Sequence, residues 1–203
     1  MTERGNLVSA ELKKLGTTVQ QVPNTAPDKS QHLVATLKGS GKARILLLAN
    51  MDTVFKEGTA KARPYRTDGK RAYGPDVSGD KGGIVVALAE LEILKQLDFK
   101  DFGQITLLLD VSEETGSQAD IELIASTAKQ HDVTLNLGPG RPADGLVVWR
   151  KGSATAVVEV KGKSSHAGVS PELGRNAATE VAHQVLQLSK LGDEEKKTSV
   201  NLP

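Results

Sequence analysis

Polar side chains that could do chemistry follow strand-like apolar runs in this sequence. Asn50-Met51-Asp52 comes directly after the run 44–49, and Glu113-Glu114 comes directly after the run 104–112; another loop begins after Leu137. Ligands of open α/β sheets bind at the carboxyl ends of strands, so these loops are expected to form one site. Two adjacent carboxylates can have different roles: one can bind a metal, and the other can act as general base on the water bound to that metal. The alternative for Glu113-Glu114 is an exposed acidic turn.

Two further stretches carry candidate groups. The glycine-rich segment 74–83, "GPDVSGDKGG", fits neither GxxxxGK[ST] nor GxGxxG, so it does not favour nucleotide binding. Its Asp76 and Asp80 could serve a site, or could be turn and N-cap residues. His166 lies in the small-residue loop "SSHAGVSPELGRNA", where a solvated surface imidazole is the alternative to a catalytic one.

The composition limits the possible partners and cofactors. The 203 residues contain 26 Lys and Arg against 25 Asp and Glu, so no basic surplus indicates a nucleic-acid partner. Because the chain has no Cys, a metal would have to be bound by His, Asp and Glu. The sequence has no apolar run long enough to span a bilayer, and residues 1–20 do not resemble a signal peptide. We therefore expect a soluble protein without a membrane partner. Neither cytoplasm nor periplasm is excluded.

The periodicity of the sequence predicts an α/β sheet domain. A helix is expected at 6–15, followed by strands 32–39 and 43–50 paired as a hairpin around the turn 39–42. The later predicted elements are a small hairpin around Asp68-Gly69, a helix beginning near Gly82, a central strand within 104–112, a helix at 118–130 and a strand at 133–137.

The pattern changes after about Gly145, which predicts a second module. Two strands are expected at 146–152 and 154–163, followed by a long helix that begins at Ser170-Pro171-Glu172. We therefore divide the chain into domains 1–149 and 150–203. So few elements need further strands or another covering element, which predicts completion by a partner chain.

Read in order, the segments "NMDTVFKEG", "YGPDVSGDKGG", "DVSEETGS", "LNLGPG" and "KGKSSHAGVSPELGRNA" resemble the M20 zinc metallopeptidases. The likeness is greatest to glutamate carboxypeptidases of the carboxypeptidase G2 type and runs from about Asn6 to about Val200. It implies an incomplete α/β catalytic domain with a mixed sheet and two zinc ions. Part of an α+β dimerisation domain of the βαββαβ type follows, so a homodimer is expected. The implied substrate is a peptide or acyl-amino acid with an acidic C-terminal residue such as glutamate.

The resemblance also assigns roles to individual residues. Asp52 matches the residue that orients a metal-ligating His, Glu113 matches the general base, and Glu114 matches a zinc ligand. His166 matches the His that reaches into the partner subunit's site and polarises the scissile carbonyl. These roles together imply an amidohydrolase.

Three ligand positions depart from the family pattern. Asn50 replaces the first His ligand, Gly79 replaces the Asp that bridges both metals, and Gly138 replaces a further carboxylate. The final His ligand of the family belongs to a C-terminal segment beyond these residues. Glu114 alone is a poor zinc site, because catalytic zinc needs three or four well-placed donors. We predict that zinc is absent or weakly bound and that peptidase activity is low or missing, since the pKa of water stays far above neutrality without a metal.

Three alternatives to a zinc enzyme remain open. Asp76 or Asp80 could join Glu114 to hold a single divalent ion, since hard cations accept carboxylate and amide oxygens. The chain could instead be a non-catalytic pseudoenzyme, natural or engineered, that binds a ligand through the retained pocket. It could also be a fragment that acts as an assembly module with another chain.

Overall fold

The computed structural model describes residues 3–25, 30–117 and 120–202 and divides the chain into two compact units. The first unit extends to Leu146 and the second begins at Val147. Each unit is described by itself below.

The first unit is built on a five-stranded sheet with the strand order β1-β2-β6-β3-β7. Its strands are β1 (Thr18–Pro23), β2 (Gln31–Lys38), β3 (Arg44–Asn50), β6 (Gln104–Asp110) and β7 (Val133–Asn136), and a separate small hairpin consists of β4 (Arg66–Thr67) and β5 (Ala72–Tyr73). The helices of this unit are α1 (Glu3–Lys14), α2 (Thr59–Ala62), α3 (Gly82–Gln96) and α4 (Ile121–Ala128).

The sheet is mixed, as the sequence predicts. β6 lies at its centre, antiparallel to β2 and parallel to β3, and β3 is also parallel to β7. Residues 105–110 of β6 are all buried, because helices and neighbouring strands cover an apolar run on both faces. The prediction of a central strand within 104–112 is therefore confirmed.

The predicted hairpin of 32–39 with 43–50 is wrong. β6 lies between β2 and β3, so Leu33 pairs with Leu109 and Leu47 pairs with Leu107. The turn 39–42 instead contacts the segment before β6, where the backbone N–H of Gly41 donates to the carbonyl of Phe102 at 3.0 Å. A turn signal predicts a change of direction, but it does not specify which strand becomes the neighbour.

The sequence reading also missed β1. This strand is mostly exposed and pairs antiparallel with β2 at one edge of the sheet. An edge strand needs little apolar sequence, because much of its surface meets water. Its two valines, three residues apart, therefore gave no strand signal.

The other predicted elements of the first unit are confirmed, whereas the short helix α2 was not predicted. The helix predicted at 6–15 is α1, the hairpin around Asp68-Gly69 is β4 and β5, and the helix near Gly82 is α3. The predicted strand at 133–137 is β7, and the helix at 118–130 is α4, although residues 118–119 lie outside the described part of the chain.

α1 and α3 supply the helical side of the core. α1 buries Val8 and Leu12, and α3 buries Ile84, Ala87 and Leu91 against the apolar residues of the sheet. Gly83 permits α3 to approach the sheet closely, because a Cβ at this position would lie 2.0 Å from the carbonyl oxygen of Leu137. The N-terminus of α3 is thereby held beside the end of β7.

The second unit differs from its prediction in two respects. Residues 147–162 form no strand, and Val148 and Val157 are 93% and 90% exposed. Two strands are marginal in water without a further element covering one face, which explains why the apolar pattern alone does not form a sheet. The long helix, α5 (Ala177–Leu188), begins after Asn176, whereas the predicted start 170–172 is a separate short 3-10 turn at Pro171–Leu173.

The N-terminus of α5 is set by a side-chain cap. The Asn176 side chain accepts hydrogen bonds from the backbone N–H groups of Ala178 and Thr179 at 3.0 and 3.2 Å. This satisfies donors that an uncapped helix would leave open.

The βαββαβ dimerisation domain remains a prediction. Of the helices formed by the described residues, none has both the length and the apolar character that a bilayer crossing requires.

Candidate functional site

The parallel pairing of β3 and β6 brings the predicted site loops to one edge of the sheet. Asn50 and Asp110 face each other at the carboxyl ends of the two strands, and the backbone N–H of Met51 donates to the carbonyl of Asp110 at 2.8 Å. On the other side of β3, the backbone N–H of Leu137 donates to the carbonyl of Leu48 at 2.9 Å, which places the loop after β7 at the same edge.

Hydrogen bonds of Asn50 and Asp52 join three of these loops. The Asn50 side-chain Nδ2 donates to Asp52 Oδ1 at 2.8 Å, and the Asn50 backbone N–H donates to Asp80 Oδ2 at 2.7 Å. The other oxygen of Asp52 accepts the backbone N–H of Glu114 at 2.9 Å. The loops that carry Asn50 with Asp52, Asp80 and Glu114 are thus connected through these two residues.

Asp80 is a buried anchor in the turn before α3. The residue is 2% exposed, and its Oδ1 has no hydrogen-bond partner among the described residues. Burial raises the pKa of Asp80 to about 6, with smaller contributions from the charges of Glu113, Asp76 and Asp52, against the opposing effect of the Asn50 N–H. Asp80 does not cap α3 with its side chain.

Asp76 is engaged by a lysine of the same turn. It adopts a left-handed backbone conformation with φ 63°, and its Oδ2 lies 2.9 Å from Lys81 Nζ. A Cβ on Gly79 would lie 3.1 Å from Asp76 Oδ1, so this carboxylate lies beside position 79. Asp76 makes no side-chain cap either.

The Glu113-Glu114 pair lies on a single 3-10 turn, Glu113–Thr115. Glu113 is exposed and Glu114 is half-buried. Burial raises the pKa of Glu114, and the charges of Glu113, Asp52, Asp76 and Asp80 add to this effect. The turn therefore collects negative charge at the edge of the sheet and favours binding of a cationic group.

A buried polar network that sequence reasoning missed supports this turn. Ser112 Oγ donates to Asp120 Oδ2, and Asp120 Oδ1 lies 3.1 Å from His32 Nε2. The carbonyl of Ser112 accepts the backbone N–H groups of Thr115 and Ser117 at 3.2 and 2.8 Å. The only sign of this network in the sequence was the position of Asp120 directly before a helix. That position did not identify its two partners, His32 of β2 and Ser112 of the loop after β6.

Asp110 is a second buried carboxyl group at this edge. It is 2% exposed, and its Oδ1 has no hydrogen-bond partner among the described residues. Burial raises the pKa of Asp110 to about 7, with contributions from the charges of Asp52, Asp120 and Glu113, while the Ser112 N–H lowers it. Sequence reasoning treated this residue only as part of the strand.

The donor set at the edge does not fit a pair of zinc ions. Position 50 offers an amide that is bonded to Asp52, and positions 79 and 138 are glycines without side chains. Within residues 3–25, 30–117 and 120–202, no three or more His, Cys, Asp and Glu side chains group as a metal site would require.

His166 belongs to the second unit. It is exposed, its Nδ1 accepts the backbone N–H of Gly168 at 3.1 Å, and its carbonyl accepts the N–H of Ser170 at 3.1 Å. These local bonds form a turn that presents the imidazole to solvent. Its catalytic role remains a prediction.

Comparison with known proteins identifies the family. Residues 46–200 match the sequence pattern of Peptidase family M20/M25/M40. Carboxypeptidase G2 of Pseudomonas sp. (strain RS-16) is 38% identical over 198 residues, which are 97% of this chain and 48% of that protein. A probable succinyl-diaminopimelate desuccinylase of Staphylococcus epidermidis is 30% identical over 155 residues, or 74% of this chain and 37% of that protein. The chain thus spans about half the length, or less, of these relatives.

Solved structures support the same fold. An M20 family metallo-carboxypeptidase from Sulfolobus solfataricus has a TM-score of 0.68 at 18% identity, covering 92% of this chain and 44% of that one. A tripeptidase from Staphylococcus aureus has a TM-score of 0.63 at 19% identity, covering 91% of this chain and 50% of that one. The sequence match and the shared fold agree, and the chain is a member of peptidase family M20/M25/M40.

Proposed function

We propose that this chain is a glutamate carboxypeptidase-like scaffold that binds a peptide or acyl-amino acid with an acidic C-terminal residue and hydrolyses it weakly or not at all. Its membership of the M20 family and its 38% identity to carboxypeptidase G2 support the ligand class. The observation that carries the loss of hydrolysis is the hydrogen bond from Asn50 to Asp52. An amide stands in this pair where the family pattern has a metal-ligating His.

The chemistry of the donors supports weak zinc binding. An Asn amide is a poor neutral donor for zinc, and its Nδ2 already donates to Asp52. Asp80 Oδ2 accepts the Asn50 backbone N–H, and Asp76 is paired with Lys81. Recruiting either aspartate as a substitute ligand would break one of these interactions.

The general base would lack a suitable nucleophile. Glu113 is exposed and could accept a proton from water, but the pKa of water without a metal lies far above the value of about 7 that it has on catalytic zinc. The site would then bind its ligand without activating the attacking water. This physical difference separates a binding scaffold from a hydrolase.

The decisive experiment is zinc loading followed by desalting and metal analysis, together with hydrolysis of an N-acyl-glutamate. We expect well below stoichiometric zinc and no hydrolysis. The matched variant carries Asn50→His, Gly79→Asp and Gly138→Glu, and it should retain more zinc than the parent chain. A Cβ at position 138 would meet its nearest atom at an ordinary 3.5 Å, whereas a Cβ at position 79 would lie 3.1 Å from Asp76 Oδ1, so the Asp76 side chain must shift slightly in this variant. Stoichiometric zinc and turnover in the parent chain would overturn the proposal.

The single-ion alternative has its own test. If Glu114 holds a divalent ion together with Asp76 or Asp80, Glu114→Gln should lower retention of calcium or zinc. Unchanged retention in this variant would exclude the alternative. The pair of Asp76 with Lys81, 2.9 Å apart, makes the lysine a competitor for any such ion.

A second candidate role is assembly, either as a homodimer or with a chain that completes the domains. The exposed apolar side of α3 favours it, because Val85, Val86 and Ile93 are 62%, 55% and 54% exposed. A helix that is apolar on both sides is normally covered on both sides. Light scattering on the isolated chain tests this role, and a stable monomer across the accessible concentration range would count against it.

A further inference from the structure

A cationic segment separates two parts of the candidate site. We define residues 55–73 as the cationic arm; it contains α2 and the hairpin of β4 and β5. The arm contains six basic and two acidic residues, whereas the whole chain carries a formal charge of only +1. The basic residues are Lys56, Lys61, Arg63, Arg66, Lys70 and Arg71. All six are exposed. The arm therefore carries a net charge of +4, six basic minus two acidic residues, in a chain that is nearly neutral as a whole.

The positive charges of the arm are not neutralised within the protein. Among the described residues, none of the six basic side chains makes an ion pair. Asp68, the acidic residue nearest to them in the hairpin, accepts the backbone N–H groups of Lys70 and Arg71 at 2.9 and 2.7 Å and the hydroxyl of Tyr73 at 2.8 Å. These bonds lower the pKa of Asp68, first through the Lys70 N–H, and they hold its carboxylate in the turn.

Two arginines of the arm are oriented by aromatic rings. The guanidinium carbon of Arg66 lies 3.9 Å from the centre of the Tyr73 ring, and that of Arg63 lies 5.0 Å from the centre of the Phe55 ring. Stacking holds the planar guanidinium while leaving its N–H edge available, and that edge matches a carboxylate with two parallel hydrogen bonds. Ordering these side chains in advance lowers the entropy lost on binding.

The arm is tied to the site at both ends. It begins three residues after Asp52 and ends three residues before Asp76, so each end lies within about 10 Å of a site residue along the chain. Because its basic side chains have no ion-pair partners among the described residues, the arm would attract a ligand rich in carboxylates.

We propose that the cationic arm is a binding site for an acidic peptide, with the guanidinium groups of Arg63 and Arg66 receiving its carboxylates. This site is separate from the pocket proposed above for the C-terminal residue. It does not depend on metal binding or hydrolysis.

The probe is a fluorescein-labelled hexaglutamate whose C-terminus is amidated, so that the pocket for a free C-terminal residue does not contribute. Binding to the full chain is followed by fluorescence anisotropy at low salt. The double variant Arg63→Ala/Arg66→Ala should weaken binding by about tenfold or more, since it removes two charge-assisted bidentate contacts. Arg66→Lys keeps the charge but loses the planar fork, and it should also weaken binding.

The matched control is Lys42→Ala/Lys129→Ala. Both lysines are exposed and lie just before the amino ends of β3 and β7, at the opposite end of the parallel strands from the site. This control removes the same net charge and should change the affinity by less than about twofold, because screened charges act weakly beyond about 10 Å. Circular dichroism confirms that each variant keeps its secondary structure.

Three results would overturn the proposal. The first is equal loss of binding in the arm variant and the control, which would indicate a net-charge effect. The second is full affinity in Arg66→Lys, which would exclude oriented guanidinium recognition. The third is tighter binding of a labelled single-stranded oligonucleotide of equal charge than of the hexaglutamate, which would assign the arm to nucleic acid.

Discussion

Asn50 donates its side-chain N–H to Asp52 at 2.8 Å, and the same carboxylate accepts the backbone N–H of Glu114 at 2.9 Å. Asp52 therefore orients the side chain of residue 50 and holds the turn that carries the two glutamates. One carboxylate thus connects two loops at this edge of the sheet.

Asp52→Ala should lower the free energy of unfolding by about 1–3 kcal/mol, because it leaves the Asn50 amide and the Glu114 N–H without their shared acceptor. Urea unfolding measures the loss, and faster hydrogen exchange at the Glu114 amide locates it. Glu57→Gln removes one exposed negative charge elsewhere and should stay within about 0.5 kcal/mol. An unchanged Glu114 exchange rate would contradict the hydrogen bond.

The buried carboxyl of Asp110 predicts a pH dependence of stability. Its pKa is raised to about 7 in the folded state by burial and by the charges of Asp52, Asp120 and Glu113. Between about pH 4 and pH 7 the folded state then binds more protons than the unfolded state, so this group's contribution to stability falls as the pH rises. Urea unfolding at a series of pH values should show that the free energy of unfolding declines as the pH rises from about 4 to about 7. This decline should be smaller in Asp110→Asn than in the parent protein. An identical slope in both proteins would refute the assignment to Asp110.

The network behind the glutamate turn predicts a further stability effect. Asp120→Ala removes the acceptor of the Ser112 hydroxyl and the group beside His32 Nε2, and it should cost about 1–3 kcal/mol. Glu122→Ala changes an exposed carboxylate at the start of the same helix and should change stability by no more than about 0.5 kcal/mol. The unfolding temperatures of the two variants, measured in parallel, test this prediction. Equal decreases in unfolding temperature would mean that Asp120 has no special role.

Asn176→Ala should destabilise α5 by about 0.5–2 kcal/mol, because the cap satisfies two N–H groups of its first turn. Amide exchange within residues 177–188 is the suitable measurement, since it reports on this helix alone. Asn176→Asp keeps an acceptor at the same place and should preserve the protection. Loss of protection in Asn176→Asp but not in Asn176→Ala would contradict the capping role.

The part of the fold that could be predicted from sequence consists of elements whose own pattern is strong. The helices α1 and α3 and the buried strand β6 carry continuous or periodic apolar residues, and the Asp68-Gly69 turn has a local signal. β1 and the pairing of β2 with β6 could not be predicted, because the first is a polar edge and the second depends on a strand about 70 residues away. For the second unit, apolar runs at 146–163 indicated strands that the structure does not form.

The candidate site shows the same division. By itself, the sequence determined the family and the residue types at positions 50, 79 and 138, an amide and two glycines, on which the prediction of weak zinc binding rests. Only the tertiary structure decided that Asn50 links Asp52 and Asp80, that Asp110 is a buried carboxyl with a raised pKa, and that Asp120 supports the glutamate turn. Burial and hydrogen bonding depend on which distant segments are brought together at the ends of β3 and β6. The residue types alone do not determine which segments become neighbours.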